Sequence, residues 1–329
     1  MLPREIHYLV KRAFAECMTK LRLNEELRED LRLLLPSDSE QLLECCTRPL
    51  RESIRVNTLK IDKDTLVSRL MKHGWVLNPV RWCDYAYWVE RCSRDIGKTL
   101  EHALGYYYMQ GAVSLVPVVA LGPQPEERVL DICAAPGSKA TQMGQEMQNT
   151  GVIVANDSNL KRIRALSSNT QKCGLINCVI TRVDGRRFPN WAANTFDRVL
   201  VDAPCTATGI IRKSWAAASS WTRRLARRIS RLQRSLLLAG FDCLKPGGEM
   251  VYATCSLSPE ENEENVNALL RARAKAELLT FDVPGIYTRP GVAEWRGRRF
   301  DWSVAKTIRI YPHDNDAEGF FIAKVAKAK

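Results

Sequence analysis

The sequence predicts an α/β protein: an open, mostly parallel sheet covered by helices, preceded by a smaller α+β module. Three observations predict it. From Glu127 onward, short apolar strands alternate with helical stretches. The first of these strands runs into a tight turn of small residues, Asp131-Ile-Cys-Ala-Ala-Pro-Gly137-Ser-Lys139. Residues 51–100 break that rhythm and read as strand, helix, then one or two strands. A chain of 329 residues, 45% of them hydrophobic, is long enough to bury a core for both parts.

Taken in order, residues 1–50 form a helical segment, with Val10, Phe14 and Met18, then Leu27, Leu31 and Leu34, recurring near the helical period. The small module occupies 51–100. In it, 53–57 is a strand, 63–73 a helix capped by Asp62 or Asp64 and ended by Gly74, and 75–90 one or two strands. The main domain is 101–329. It opens with Gly105–Gln110 and an apolar helix through Leu121 that Gly122-Pro123 stops. Its strands are drawn at 128–133, 152–156, 179–182, 196–201 and 249–253, with 307–311 and 319–325 as an antiparallel end.

Forty-nine Lys and Arg against 37 Asp and Glu give a net charge of +12, which suits a polyanionic partner as well as a plain solvated surface. The charged N-terminus lacks the pattern of a secretory signal, and the longest apolar stretch, 112–122, is too short to span a bilayer and contains Pro117. A soluble, cytoplasmic protein with no membrane partner is expected. The 11 cysteines are then thiols, and without a C-x-x-C pair or clustered histidines no metal is expected.

Ligands of open α/β sheets bind at the carboxyl ends of the strands, where the Gly137 turn lies. Asp157 follows Gly137 by 20 positions, at the end of the next strand, where a carboxylate can accept both hydroxyls of a ribose. Asp184 ends the third strand, placed to meet an adenine amine. An NAD enzyme satisfies the same two rules; the fourth strand discriminates. Where methyltransferases of exocyclic amines carry Asn/Asp-Pro-Pro-Tyr, this chain has Asp202-Ala-Pro-Cys205, and the fifth strand ends in Thr254-Cys255-Ser256. If these strands are neighbours, ~4.8 Å apart, both thiols open into one pocket.

At these residues the chain resembles the RNA (cytosine-5)-methyltransferases of the Fmu and Nop2/Sun type. The resemblance runs from about Arg51 to Lys327 and includes Pro259-Glu-Glu-Asn-Glu263 and Gly319-Phe-Phe321. The chain departs from it at Ser138 (usually Gly), Ala140 (usually Thr) and Thr206-Ala207 (usually Ser-Gly). The resemblance implies a Rossmann-like, class I S-adenosylmethionine-dependent methyltransferase sheet and an RNA-recognition-like module. It implies Cys255 as nucleophile, Cys205 assisting product release, and Lys139 and Asp202 bracketing the flipped base. The expected cofactor set is Cys133, Ala134, Ala135, Pro136, Gly137, Ser138, Lys139, Asp157, Arg162, Asp184 and Asp202. The compact form resembles the archaeal tRNA enzymes of the family, so tRNA is the first expected partner and ribosomal RNA the second.

Such chemistry explains the residue types. Carbon 5 of cytosine is too poor a nucleophile to be methylated directly, so a thiolate first adds to carbon 6. Asp202 can hydrogen-bond the ring nitrogen and amino group, and Cys205 can remove the carbon-5 proton so that Cys255 leaves. The base must be unstacked to enter. Cys17, Cys83, Cys92, Cys133, Cys173, Cys178 and Cys243 read as small buried hydrophobes. Between the two thiols, 221–236 reads as a helix with a core stripe of Leu225, Ile229, Leu232 and Leu236 and six arginines. Of these, Arg223, Arg227 and Arg231, together with Arg212 and Lys213 just after Cys205, are expected to contact RNA; a solvated face is the plainer reading. A methyltransferase acting on protein or an exocyclic amine, and an idle RNA-binding scaffold, are the rival readings.

Overall fold

A computed structural model describes residues 23–93 and 95–329. The helical stretch expected around Val10, Phe14 and Met18 lies outside the described residues. Two helices, α1 (Glu25–Leu34) and α2 (Ser39–Cys46), follow. Asn24 caps α1 by accepting from Glu26 N, and Leu27 and Leu31 turn inward. They pack on Ile211, Trp221, Leu257 and Tyr311, so this segment braces the chain that follows Cys205.

The module is a β-α-β-β-α-β unit: β1 (Glu52–Val56), α3 (Lys63–Lys72), β2 (Val76–Pro79), β3 (Ala86–Arg91), α4 (Leu100–Ala103) and β4 (Tyr107–Met109). Its antiparallel sheet has the order β2-β3-β1-β4, so its last strand lies beyond the boundary drawn at residue 100. Asp62 is the cap that α3 uses. Arg55 of β1 crosses into the main domain with no exposed surface. Its guanidinium donates to Gln110 Oε1 (3.0 Å), to the carbonyl of Ser138 (2.8 Å) and to Thr141 Oγ1 (2.8 Å).

The main domain begins with α5 (Val116–Leu121), which ends at Gly122 in the left-handed conformation. Then come β5 (Arg128–Asp131), α6 (Ser138–Glu146), β6 (Val152–Asn156), α7 (Leu160–Cys173), β7 (Cys178–Thr181), β8 (Phe196–Asp202), α8 (Arg223–Cys243), β9 (Leu244–Thr254) and α9 (Glu263–Ala272). The strands β10 (Ala276–Leu279), β11 (Arg289–Pro290), β12 (Ile308–Ile310) and β13 (Phe320–Lys327) finish the sheet. Its order is β11-β12-β13-β9-β8-β5-β6-β7, with β10 on β13. β9, β8, β5, β6 and β7 are parallel and the rest antiparallel, as expected. The chain reverses direction of travel across the sheet between β5 and β8, which opens a crevice at their carboxyl ends. Asp202 pairs in register with Ala253, and this sets Cys205 and Cys255 just beyond adjacent strand ends. Among the described residues no helix is long and apolar enough to cross a membrane.

One element differs from expectation. Within 223–237 of α8 the buried residues are Ala226, Ser230, Gln233, Leu236 and Leu237. Leu225 and Ile229 are half-buried and Leu232 is 38% exposed. The helix is turned because it faces a polar lattice, which hydrophobic periodicity does not detect.

Candidate active site

The loop after β5 turns sharply: Gly137 N donates to Ala134 O (2.7 Å) and Ala134 N to Asn156 O (2.7 Å). Gly137 has φ +106°, and a Cβ there would sit 3.0 Å from Leu166 Cδ1, so only glycine fits. Asn156 ties three strand ends together through the carbonyls of Ile132 and Val183 and the Val183 amide. Ala134, Ala135 and Lys139 are buried, Cys133 and Ser138 half-buried, and Pro136 exposed.

Around this turn carboxylates gather. Asp157 is buried, accepts from Asn159 N (2.8 Å) and pairs with Arg162 (3.1 Å), which also donates to Ala135 O. Asp184 caps the turn after β7 and pairs with the exposed Arg186, which holds its carboxyl below the usual range. Asp202 accepts from Lys139 Nζ at 2.7 Å. Burial opposes the charge on Lys139, but Asp202 outweighs it and the ammonium is held above its ordinary value. Lys139 also donates to Ser114 Oγ (3.1 Å).

Asp131, quoted in the motif but given no role by sequence reasoning, is fully buried, with no side-chain donor to either oxygen and only the Cys133 backbone amide facing it. Burial, then the Asp202 charge, push it up to about 7. Buried orphan carboxylates are costly, and this one lies among other acids with Lys139 as the nearest cation that lowers it. The crevice therefore suits a cationic ligand. The linkage sign is definite. The unfolded chain releases this proton near 3.8 and the folded one near 7, so stability falls as pH rises between them and stays reduced above. That displacement corresponds to about 4 kcal/mol, of which Asp131→Asn should recover about 1–3 kcal/mol at pH 8 because its amide is still buried. Urea denaturation at pH 8 should show the gain and at pH 4 should not; an equal change at both would exclude a titrating Asp131.

The two cysteines meet at the mouth of β8 and β9, with Cys205 Sγ 3.1 Å from Cys255 Sγ. Hydrogen bonding with Cys255, then burial, raise Cys205 well above the ordinary thiol value, so it holds its proton. Behind them Glu261 fastens both loops. Its carboxylate accepts from Thr206 N (2.9 Å) and Thr206 Oγ1 beside Cys205, from Ser256 Oγ (2.6 Å) beside Cys255, and from Gln233 Nε2 of α8 (2.8 Å). Asn262 holds Thr254 and the Ser256 carbonyl, and Glu263 pairs with the buried Arg309 through two 2.6 Å contacts. The segment Pro259–Glu263 is thus the frame of the cysteine pair. Sequence reasoning quoted that motif without seeing its task. Gly209 N donates to Cys255 O (2.8 Å), and a Cβ on Gly209 would meet Gly319 O at 2.3 Å. Thr206 supplies the hydroxyl of the usual serine, whereas Ala207, at the usual glycine, adopts φ +59°.

Of the five residues expected to contact RNA, two are committed elsewhere. Arg212 has a side chain 2% exposed, bound to the carbonyls of Arg48 and Pro49 and paired with Asp316 (2.8 Å). Arg223 is paired with Glu29 (2.6 Å) and Asp30 (2.8 Å) of α1. Arg227 and Arg231 are exposed on α8, and Lys213 is exposed but paired with Glu318 (2.7 Å). Among the described residues no group of His, Cys, Asp or Glu is arranged to hold a metal, and Cys205 and Cys255 are thiols that no disulfide joins.

Residues 118–326 match the family model of the 16S rRNA methyltransferase RsmB/F, and 23–112 match the N-terminal domain of 16S rRNA methyltransferase RsmF. A tRNA (cytosine(49)-C(5))-methyltransferase of Pyrococcus abyssi is 41% identical over 309 residues, 94% of this chain and 97% of its own. Ribosomal RNA small subunit methyltransferase F of Vibrio parahaemolyticus is 39% identical over 306 residues, 91% of this chain and 62% of its own. The crystal structure of a methyltransferase homolog protein from Pyrococcus horikoshii superposes with a TM-score of 0.84 at 33% identity, covering 96% of this chain and 99% of that one. With its motifs, both of its parts and nearly all of its length matched, the chain belongs to the RsmB/F family and is an RNA (cytosine-5)-methyltransferase.

Proposed function

We propose that the protein methylates a cytosine of tRNA, in the cytoplasm, from S-adenosylmethionine, with Cys255 as nucleophile and Cys205 as the releasing group. The observation that carries this reading is the 3.1 Å sulfur pair, mounted on one frame next to the Lys139–Asp202 pair. The surplus of buried carboxylate in the crevice fits the cationic methyl donor. Asp131 would face its ammonium, Asp157 its ribose and Asp184 its adenine, with the 133–139 turn beneath. Bound there, S-adenosylmethionine supplies an electrophilic methyl group.

Cys255 adds to carbon 6 as its thiolate, and charge moves into the ring, where Asp202 binds the amino edge and Lys139 offsets the charge. Carbon 5 then takes the methyl group. In the covalent state the sulfur of Cys255 no longer shares a proton with Cys205, and the largest influence raising Cys205 is gone. Cys205 can then give its proton to solvent and take the one on carbon 5. The carbon 5–carbon 6 double bond re-forms, the sulfur–carbon 6 bond breaks, and its electron pair returns to Cys255. The pair is back in its resting state.

For the substrate, tRNA is supported by the match with the Pyrococcus abyssi tRNA enzyme over 97% of that protein's length. Ribosomal RNA is the second reading, supported by the ribosomal names of both family models and of a relative at 39% identity. Incubating the protein and donor with a tRNA transcript and with 16S ribosomal RNA, followed by bisulfite sequencing, decides between them. One protected cytosine in tRNA is expected, position 49 being the first to inspect. Protection confined to the ribosomal RNA would overturn the tRNA assignment.

A further inference from the structure

A cleft of about 380 Å³ lies between the module and the main domain, lined among others by Arg51, Ser53, Met109, Gly111, Lys213 and Trp215. From it we infer that the protein holds a nucleotide adjacent to the target cytosine, its base against Trp215 and Met109 and its phosphate toward Arg51 and Lys213. The inference rests on the RNA-methylating reading and adds a subsite to it.

Continuity with the reaction pocket is the first argument. The segment that carries Cys205 and binds the Cys255 carbonyl through Gly209 runs on to Lys213 and Trp215 in the cleft. The segment that lines the cleft at Met109–Gly111 runs on to Ser114, which receives Lys139. The cleft and the cysteine pair are thus built on adjoining stretches of the same two segments, which would set the neighbour of an unstacked cytosine at Cys255 beside this cleft.

The lining is the second argument. Met109, at the end of the edge strand β4, is 41% exposed, and the half-buried Trp215 also lines the cleft. Base stacking on aromatic and apolar side chains tolerates any sequence and suits an unpaired residue. Arg51 and Lys213 bring cationic groups to the cleft, the first paired with Glu90 and the second with Glu318, so an RNA phosphate there competes with a carboxylate for each. The floor is built rather than accidental: Glu318 lies so close to Gly111 that a Cβ would meet its Oε1 at 1.5 Å, and this carboxylate anchors Lys213 at 2.7 Å. Glu318 also accepts from Val113 N, joining the cleft floor to the segment that reaches Lys139.

The test uses the full chain and a fluorescein-labelled RNA stem–loop with one cytosine in its loop, read by anisotropy. The same RNA is made with an abasic residue 5′ or 3′ of that cytosine. Wild type should bind the intact RNA roughly tenfold more tightly than one of the abasic forms, the size expected of one stacked base. Trp215→Ala should bind intact and abasic RNA alike, and Trp215→Phe should restore the discrimination. Arg51→Ala should weaken both RNAs equally and lower the salt slope by about one. The cleft assignment is overturned if wild type does not discriminate, or if Trp215→Ala discriminates as wild type does. Methyl transfer, followed in parallel, separates the two readings. Methylation without abasic discrimination leaves the activity and removes the subsite; discrimination without methylation does the reverse.

Discussion

Replacing Cys255 by alanine should abolish methyl transfer, with a loss of at least about three orders of magnitude, because no other route activates carbon 5. The same change should abolish the covalent adduct that wild type forms with RNA carrying 5-azacytidine, whose nitrogen at position 5 has no proton to release. Cys205→Ala should do something different: with ordinary RNA and donor, a methylated protein–RNA adduct should build up and survive denaturing electrophoresis. The asymmetry is that of the proposed roles. The sulfurs are 3.1 Å apart, yet Cys205 is the one whose proton is held by its neighbour and by burial. An adduct unaffected by Cys255→Ala would reverse the roles, and normal turnover by Cys205→Ala would remove its part in release.

Glu261→Ala should be the most damaging substitution outside the pocket, costing about 3–5 kcal/mol. It strips the acceptor from Thr206 N, Ser256 Oγ and Gln233 Nε2 at once, and each is buried. Glu261→Gln keeps the shape but turns an amide donor toward those donors, so about half the loss should remain. Urea denaturation measures both. Because this carboxylate ties the loops of both cysteines, the glutamine variant should also form the 5-azacytidine adduct more slowly while its donor affinity is unchanged. A loss below about 1 kcal/mol for Glu261→Ala would mean that the frame is redundant.

Much of this was legible in the sequence because it leaves a local or periodic trace. The parallel strands announce themselves as apolar runs between helices, the Gly137 turn by its small residues, and the cysteines by their place at strand ends. The rest depends on partners that are distant in the chain. Arg223 and Arg227 look alike on a helical wheel, but Glu29, 194 residues earlier, neutralises only the first. Arg212 sits three positions before the proposed stacking residue and yet points into the protein, toward Asp316. Ser230 and Gln233 are buried because Glu260 and Glu261 need donors, and no hydrophobic pattern records that need. Asp131 was in plain sight, but its lack of partners appears only when the surrounding chain is in place.

The guanidinium of Arg55 has a mechanical meaning. It leaves the module's central strand and ends on the carbonyl of Ser138, at the first turn of the helix behind the cofactor loop. Two regions that match separate family models are thereby joined at a buried point, and again where Asn57 Nδ2 donates to the Cys173 carbonyl. A force on the sheet of the small module is passed to the turn after β5, the one that the proposed function gives to the methyl donor. Separating them would strip the Ser138 carbonyl and the Thr141 hydroxyl of the Arg55 guanidinium, so the two halves are better regarded as one lever than as beads on a string.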